Sequence, residues 1–224
     1  MSTTPLPRVL SASPGVICFQ KLHSMDVITM KNVFLGLVFS ALVGLPVQAA
    51  LKVSDKAPDF SASASLAGKE FRFSLSDALE KGPVVVYFYP SAYTKGCDLE
   101  AHAFAQEKEK FDAAGATIIG VSADSIARLD LFSADPDYCA GKFPVASDPD
   151  HKIAASYNLT VAGPRAGMKD VRGADIDHDF IERVTYVIGK DHKIVATLSS
   201  AEDKISPDQH VRKALEIVQN LASK

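Results

Sequence analysis

The sequence has no tryptophan and only three cysteines in 224 residues. So few cysteines cannot staple a disulfide scaffold, and the fold must rest on a hydrophobic core. Charge of one sign is also missing: 24 Lys and Arg against 27 Asp and Glu give a net charge of −3. That balance carries no electrostatic footprint for a nucleic-acid partner. No internal repeat or low-complexity tract appears. The apolar run from Val33 to Leu45 is shorter than the roughly 20 residues a membrane span needs.

That run reads as a targeting signal. "MKNVFLGLVFSALVGLPVQA", residues 30–49, combines a charged start at Lys31, a short apolar stretch and a small-residue end at Ala49. This is the pattern of a secretory signal peptide. Gly36, Gly44 and Pro46 argue against a buried core helix. Residues 1–29 lack periodicity and read as a mis-assigned or disordered extension, with Met30 the expected true start. Cleavage after Ala49 removes Cys18 and leaves residues 50–224, a length that fits one domain. The expected location is periplasmic or secreted, with no stable membrane association after cleavage.

Strands and helices alternate through the rest. A small hairpin is expected around Gly68, then a short helix capped by Ser74 or Ser76. "VVVYFY" (Val84–Tyr89) and "ATIIGVSAD" (Ala116–Asp124) read as buried strands. A helix runs from about Cys97 to Gly115, with Leu99, Ala103, Phe104 and Phe111 at helical spacing, and a second is ended by Pro136. "KFPVASDPD" is a short strand and "HKIAASYNL" a short helix, and an irregular loop follows from Val161 to Phe180. "ERVTYVIG" and "KIVATLS" form a hairpin, and a helix over about Pro207–Ala222 closes the chain. The pattern implies an α/β layer fold with a mixed sheet.

Cys97 then falls at a strand-to-helix turn, near a helix N-terminus. Unpaired amides and the helix dipole there favour a thiolate, the reactive form of cysteine. Pro90 has no N–H and a fixed φ, so it can shape the turn and shield the sulfur. Thr94, one turn earlier, offers a hydroxyl that can both donate and accept. A thiolate beside a hydroxyl and a cation is suited to attack one oxygen of a peroxide while the other leaves. The bland alternative is a structural disulfide between Cys97 and Cys139, the two cysteines left after cleavage.

The spacing Pro90-x-x-x-Thr94-x-x-Cys97 resembles the peroxidatic motif of the peroxiredoxins. "VVVYFYP…TKGCDLEAHAF" resembles their bacterioferritin-comigratory (Q-type) branch, and "VSDKAPDF", "FPVASD" and "RVTYVI" follow in the family's order. The resemblance implies a thioredoxin-like fold with an N-terminal hairpin extension and a thiol peroxidase of hydrogen peroxide and organic hydroperoxides. It implies that Cys97 is oxidised to a sulfenic acid, Thr94 polarises the peroxide, Pro90 shields the site and Arg183 stabilises the thiolate, with Glu100 holding Arg183. No metal or organic cofactor is implied, and the expected reductant is a thioredoxin-like or other thiol donor.

The chain departs from the family at His102, where many Q-type members carry the resolving cysteine. Cys139 is the remaining candidate for that role, and His102 reads as a solvated or packed helix residue. "DIDHD" (Asp175–Asp179) has metal-ligand residue types but reads as a solvated loop. Two competitors remain: a thioredoxin-like thiol-disulfide oxidoreductase, disfavoured because Thr94 stands where Cys-x-x-Cys chemistry wants a cysteine, and a non-catalytic module with one disulfide.

Overall fold

The computed structural model describes residues 49–164 and 166–223. The segment read as a signal, apart from Ala49, and the extension before it lie outside the described residues.

The chain opens with a hairpin, β1 (Ser61–Leu66) and β2 (Lys69–Ser74), turning at Ala67-Gly68. Helix α1 (Leu75–Lys81) follows, its N-cap Ser74 accepting from the Asp77 amide. Then come β3 (Val84–Phe88), α2 (Lys95–Ala113), β4 (Thr117–Ser122), α3 (Ile126–Ala134), β5 (Val145–Ser147) and α4 (Lys152–Ser156). A two-residue ribbon, β6 (Val161–Ala162) with β7 (Phe180–Ile181), closes the long loop that was expected to be irregular throughout. Strands β8 (Val184–Ile188) and β9 (Ile194–Ser199), the short α5 (Ser200–Asp203) and α6 (Pro207–Ala222) complete the domain.

Seven strands form one sheet in the order β2-β1-β5-β4-β3-β8-β9. β3, β4 and β5 run parallel, and the outer pairings are antiparallel. Central β3 is buried at every position, which explains why its sequence is a continuous apolar run. The pleat sends Val84, Val86 and Phe88 into the core layer shared with α1 and α4. It sends Val85 and Tyr87 into the layer shared with α2, α3 and α6. The Tyr87 ring lies across Gly120 of the neighbouring strand, so close that a Cβ there would come within 2.6 Å of it.

The buried face of α2 is made by Cys97, Glu100, Ala101, Phe104, Ala105 and Phe111. Leu99, expected on that face, points outward and is 48% exposed, because the helix presents 97, 101 and 104 to the sheet. Helix α6 ends where expected, opened by a Ser206/Gln209 capping box and by Pro207 in its first turn.

Candidate active site

β3 delivers the chain to the site and α2 receives it. The two are joined by a tight turn in which Tyr93, fully buried, takes a left-handed φ of +58°. Thr94 is the N-cap of α2, with an extended backbone, so Cys97 is the third residue of the helix. Its amide donates to the Thr94 carbonyl at 2.8 Å. The Thr94 hydroxyl donates to the Ser91 carbonyl at 2.8 Å rather than capping the helix. Pro90, half-buried, stands between the strand and the turn.

Arg183, just ahead of β8, reaches this turn from the adjacent strand. Its Nη2 donates to Cys97 Sγ at 3.0 Å, and its Nη1 pairs with Glu100 Oε2. Gly96 leaves room for the guanidinium: a Cβ there would lie 3.4 Å from Nη2. The structure therefore brings Thr94, Cys97, Glu100 and Arg183 together. Behind them lies His210 of α6, fully buried, bridging the Thr185 and Ser200 hydroxyls at 2.9 Å each. Burial, with the Arg183 cation nearby, pushes His210 down to about 4. It is therefore a neutral member of the network.

The electrostatics differ from a simple activated thiol. Cys97 is 2% exposed, and burial pushes its pKa up, against the Arg183 cation and the hydrogen bonds of Thr94 and the Ser91 backbone. The net shift is upward. The depression expected at a helix N-terminus is outweighed because desolvation penalises the charged form more than these groups favour it. Burial likewise pushes Glu100 up to about 7, with Arg183 opposing. Arg183 stays cationic, held by Glu100 and the sulfur against its own burial.

Cys139, beyond α3, is fully buried in the same core layer as Cys97, and both are free thiols. Burial raises the Cys139 pKa strongly, and Asp135 and Asp98 add to it. His102 is not merely solvated. Gln106 Nε2 donates to its Nε2 at 2.9 Å, which leaves Nδ1–H to donate to the Asp137 carbonyl at 2.9 Å. With Lys142 Nζ on the Ala105 carbonyl at 2.9 Å, it ties the Cys139 segment to α2.

A second polar cluster grips the turn from the other side, and sequence reasoning missed it. Asp124, at the carboxyl end of β4, accepts the Ala92 amide at 2.8 Å and the Ser122 hydroxyl at 2.7 Å. It also pairs with His178 Nε2 and with Arg128 Nε, each at 2.8 Å. Burial pushes Asp124 up, but the bonds and charge of His178 outweigh it and hold the carboxyl below its usual range. "DIDHD" is thus not a wholly solvated loop, since His178 is docked against the turn that leads into Cys97. The one signal available was that Asp124 follows β4 as the turn into Cys97 follows β3, at the carboxyl ends of neighbouring parallel strands. Among the described residues, no group of three or more His, Cys, Asp or Glu could hold a metal ion.

The AhpC/TSA family model matches residues 53–197. The chain belongs to the AhpC/TSA family, the peroxiredoxins. Chloroplastic peroxiredoxin Q of Oryza sativa subsp. japonica is 27% identical over 98% of this chain and 91% of its own length. Among solved structures, peroxidoxin BcpB of Mycobacterium tuberculosis superposes with a TM-score of 0.61 at 28% identity, covering 76% of this chain and 97% of its own. The bacterioferritin comigratory protein of Xanthomonas campestris, studied for alkyl peroxide reduction, gives a TM-score of 0.58 at 25% identity over 78% of this chain and 99% of its own. This peroxiredoxin has the thioredoxin-like fold and thiol peroxidase activity of its family.

Proposed function

We propose that the protein is an exported peroxiredoxin that reduces hydrogen peroxide and organic hydroperoxides through Cys97. The 3.0 Å contact between the Arg183 guanidinium and Cys97 Sγ carries the peroxidase assignment, and the signal-like residues 30–49 support the export. The thiolate attacks one peroxide oxygen, the O–O bond breaks and a sulfenic acid forms. The departing oxygen leaves as hydroxide or alkoxide and takes up a proton from water. Arg183 stabilises the charge on both sulfur and leaving oxygen, Thr94 orients the peroxide, and Pro90 limits access of water. Similarity to the alkyl-peroxide-reducing Xanthomonas protein supports organic hydroperoxides as substrates.

Cys139 then attacks the sulfenic sulfur, a disulfide forms and water is lost. A thioredoxin-like dithiol restores both cysteines by exchange. Complete burial of Cys139 favours a second reading, in which an external thiol resolves Cys97 directly. A thiol-disulfide oxidoreductase of thioredoxin type is disfavoured by Thr94 at the position its motif requires. Peroxide consumption by the wild type and by Cys97→Ser tests the assignment: turnover should vanish in the variant, and a retained rate would overturn it.

A further inference from the structure

The loop from Met168 to Asp179 folds back onto the turn that leads into Cys97. Its Val171 amide donates to the Tyr93 carbonyl at 2.9 Å. The Arg172 guanidinium lies 3.2 Å above the centre of the Tyr93 ring. Asp170, 6% exposed, accepts the Arg172 and Ala174 amides at 2.9 Å each and takes the guanidinium of Arg172. It also pairs with Arg128 at 2.9 Å, and Arg128 in turn donates to the Ala92 carbonyl at 2.9 Å. At the loop's far end, His178 sits 3.1 Å from the Ser91 hydroxyl and holds Asp124, which accepts the Ala92 amide.

Polar groups of Ser91, Ala92 and Tyr93 are thus gripped either by the loop or by a residue the loop holds. Tyr93, in its left-handed conformation, is held at its ring by Arg172 and at its carbonyl by the Val171 amide. The same ring makes edge contacts with Phe132 and Tyr138 at 5.1 and 5.4 Å, and Tyr138 immediately precedes Cys139. Moving Tyr93 therefore disturbs both cysteine segments at once.

We infer that Asp170, Arg172 and His178 are positioning residues of the peroxidase reaction. They strap Ser91–Tyr93, and through them Thr94 and Cys97, into the reactive geometry. Their release sets how fast oxidised Cys97 leaves its pocket to meet a resolving thiol. The inference rests on Cys97 being the peroxidatic cysteine, and it adds residues that touch neither peroxide nor sulfur.

Arg172 is only partly buried, so Arg172→Ala leaves the core intact. In the reduced protein, amide exchange of the 91–98 peptide should accelerate about five-fold, the loss expected for one stacked cation, with the β3 and β8 peptides unchanged. After one equivalent of peroxide, disulfide closure should accelerate by a similar factor, while Cys97 oxidation slows less than about two-fold because the strapped form still dominates. Arg172→Lys, which keeps the charge but not the fork to Asp170, should fall between. His178→Gln tests the other anchor and should loosen the same peptide. Unchanged exchange of 91–98 in both Arg172→Ala and His178→Gln would overturn the strap. If the wild type forms no intramolecular disulfide, the resolving role of Cys139 fails instead, and the exchange measurement still decides the strap.

Discussion

Cys97 is surrounded by groups that pull in opposite directions. Burial disfavours its thiolate, and Arg183 favours it but shares its charge with Glu100. Removing the shared anion should leave more of the guanidinium's field on the sulfur. Glu100→Gln keeps the side-chain volume and is expected to lower the Cys97 pKa, read from thiolate ultraviolet absorbance against pH. A higher pKa in this variant would mean that Glu100 serves by fixing Arg183 in place rather than by drawing on its charge. Arg183→Ala acts the other way. The sulfur loses its donor and Glu100 its partner, so the thiol pKa should rise and peroxide reduction should slow by about 100-fold, as when one preorganised donor is removed. A loss below ten-fold, measured by stopped-flow oxidation of Cys97, would show that Thr94 and the helix terminus suffice without the guanidinium.

At the scale of elements, the loop before β7 meets the end of β4 through one ion pair. Burial pushes His178 down, but Asp124 outweighs it and raises the imidazole pKa above its ordinary value, with Arg128 working against it. The other groups facing the ring are the Ser91 hydroxyl, the Asp179 carbonyl and the Phe180 ring. A raised folded pKa gives stability that is complete below about pH 6.5, the unfolded value, and lost as pH climbs through the folded one. Asp124 is depressed, so its share is present above about pH 4 and fails only in acid. The urea-midpoint advantage of wild type over His178→Gln should therefore shrink as pH rises above neutrality; an advantage that grows would contradict the pairing. This contact also marks where reading the sequence stops. β3, α2 and α6 were legible because each carries its own period and its own ending, from the unbroken "VVVYF" to the Ser206-Pro207 start. The Cys97 turn was legible because Pro90, Thr94 and Cys97 lie within one local motif. Asp124 and His178 carry no local signal: they stand 54 positions apart, and only the sheet order brings them together. β6, β7 and α5 are too short for any periodicity to register. The upward shift of Cys97 was hidden for the same reason, since burial is set by the packing of distant elements.

For the whole molecule, the proposed export predicts a mature protein beginning at Ala50, and intact mass of the secreted or periplasmic species measures it directly. A mature species retaining Cys18 would remove both the export reading and the assumption of two cysteines. With two, the proposed resolution of Cys97 by Cys139 calls for both buried thiols to leave their places in the core. Cys97 is held at the start of α2, while Cys139 lies beyond α3, fully buried in a core cluster that includes Phe132 and Phe143. Neither thiol is paired in the folded state, and a disulfide needs Cα atoms within about 7 Å. The two segments that the proposed cycle sets in motion share a feature: Tyr93 and Ala140 both hold left-handed backbone conformations, φ +58° and +53°, which side chains other than glycine adopt at a cost. Each segment is kept there by a few identifiable bonds, Arg172 on Tyr93 in one, and His102 and Lys142 on the Cys139 segment in the other. On the proposed two-cysteine cycle, the oxygen added to Cys97, which is 2% exposed, crowds the Arg183 contact and favours opening of both segments. One equivalent of peroxide should therefore yield a Cys97–Cys139 crosslink in non-reducing peptide maps, with new protease cleavage confined to about residues 91–96 and 135–142. In Cys139→Ser, the sulfenic acid has no internal partner and should gain further oxygen as peroxide is raised, unless an external thiol is supplied. A wild-type protein that stays as sulfenic acid, or crosslinks only between chains, would assign resolution to that external thiol and leave Cys139 as a packing residue of the core.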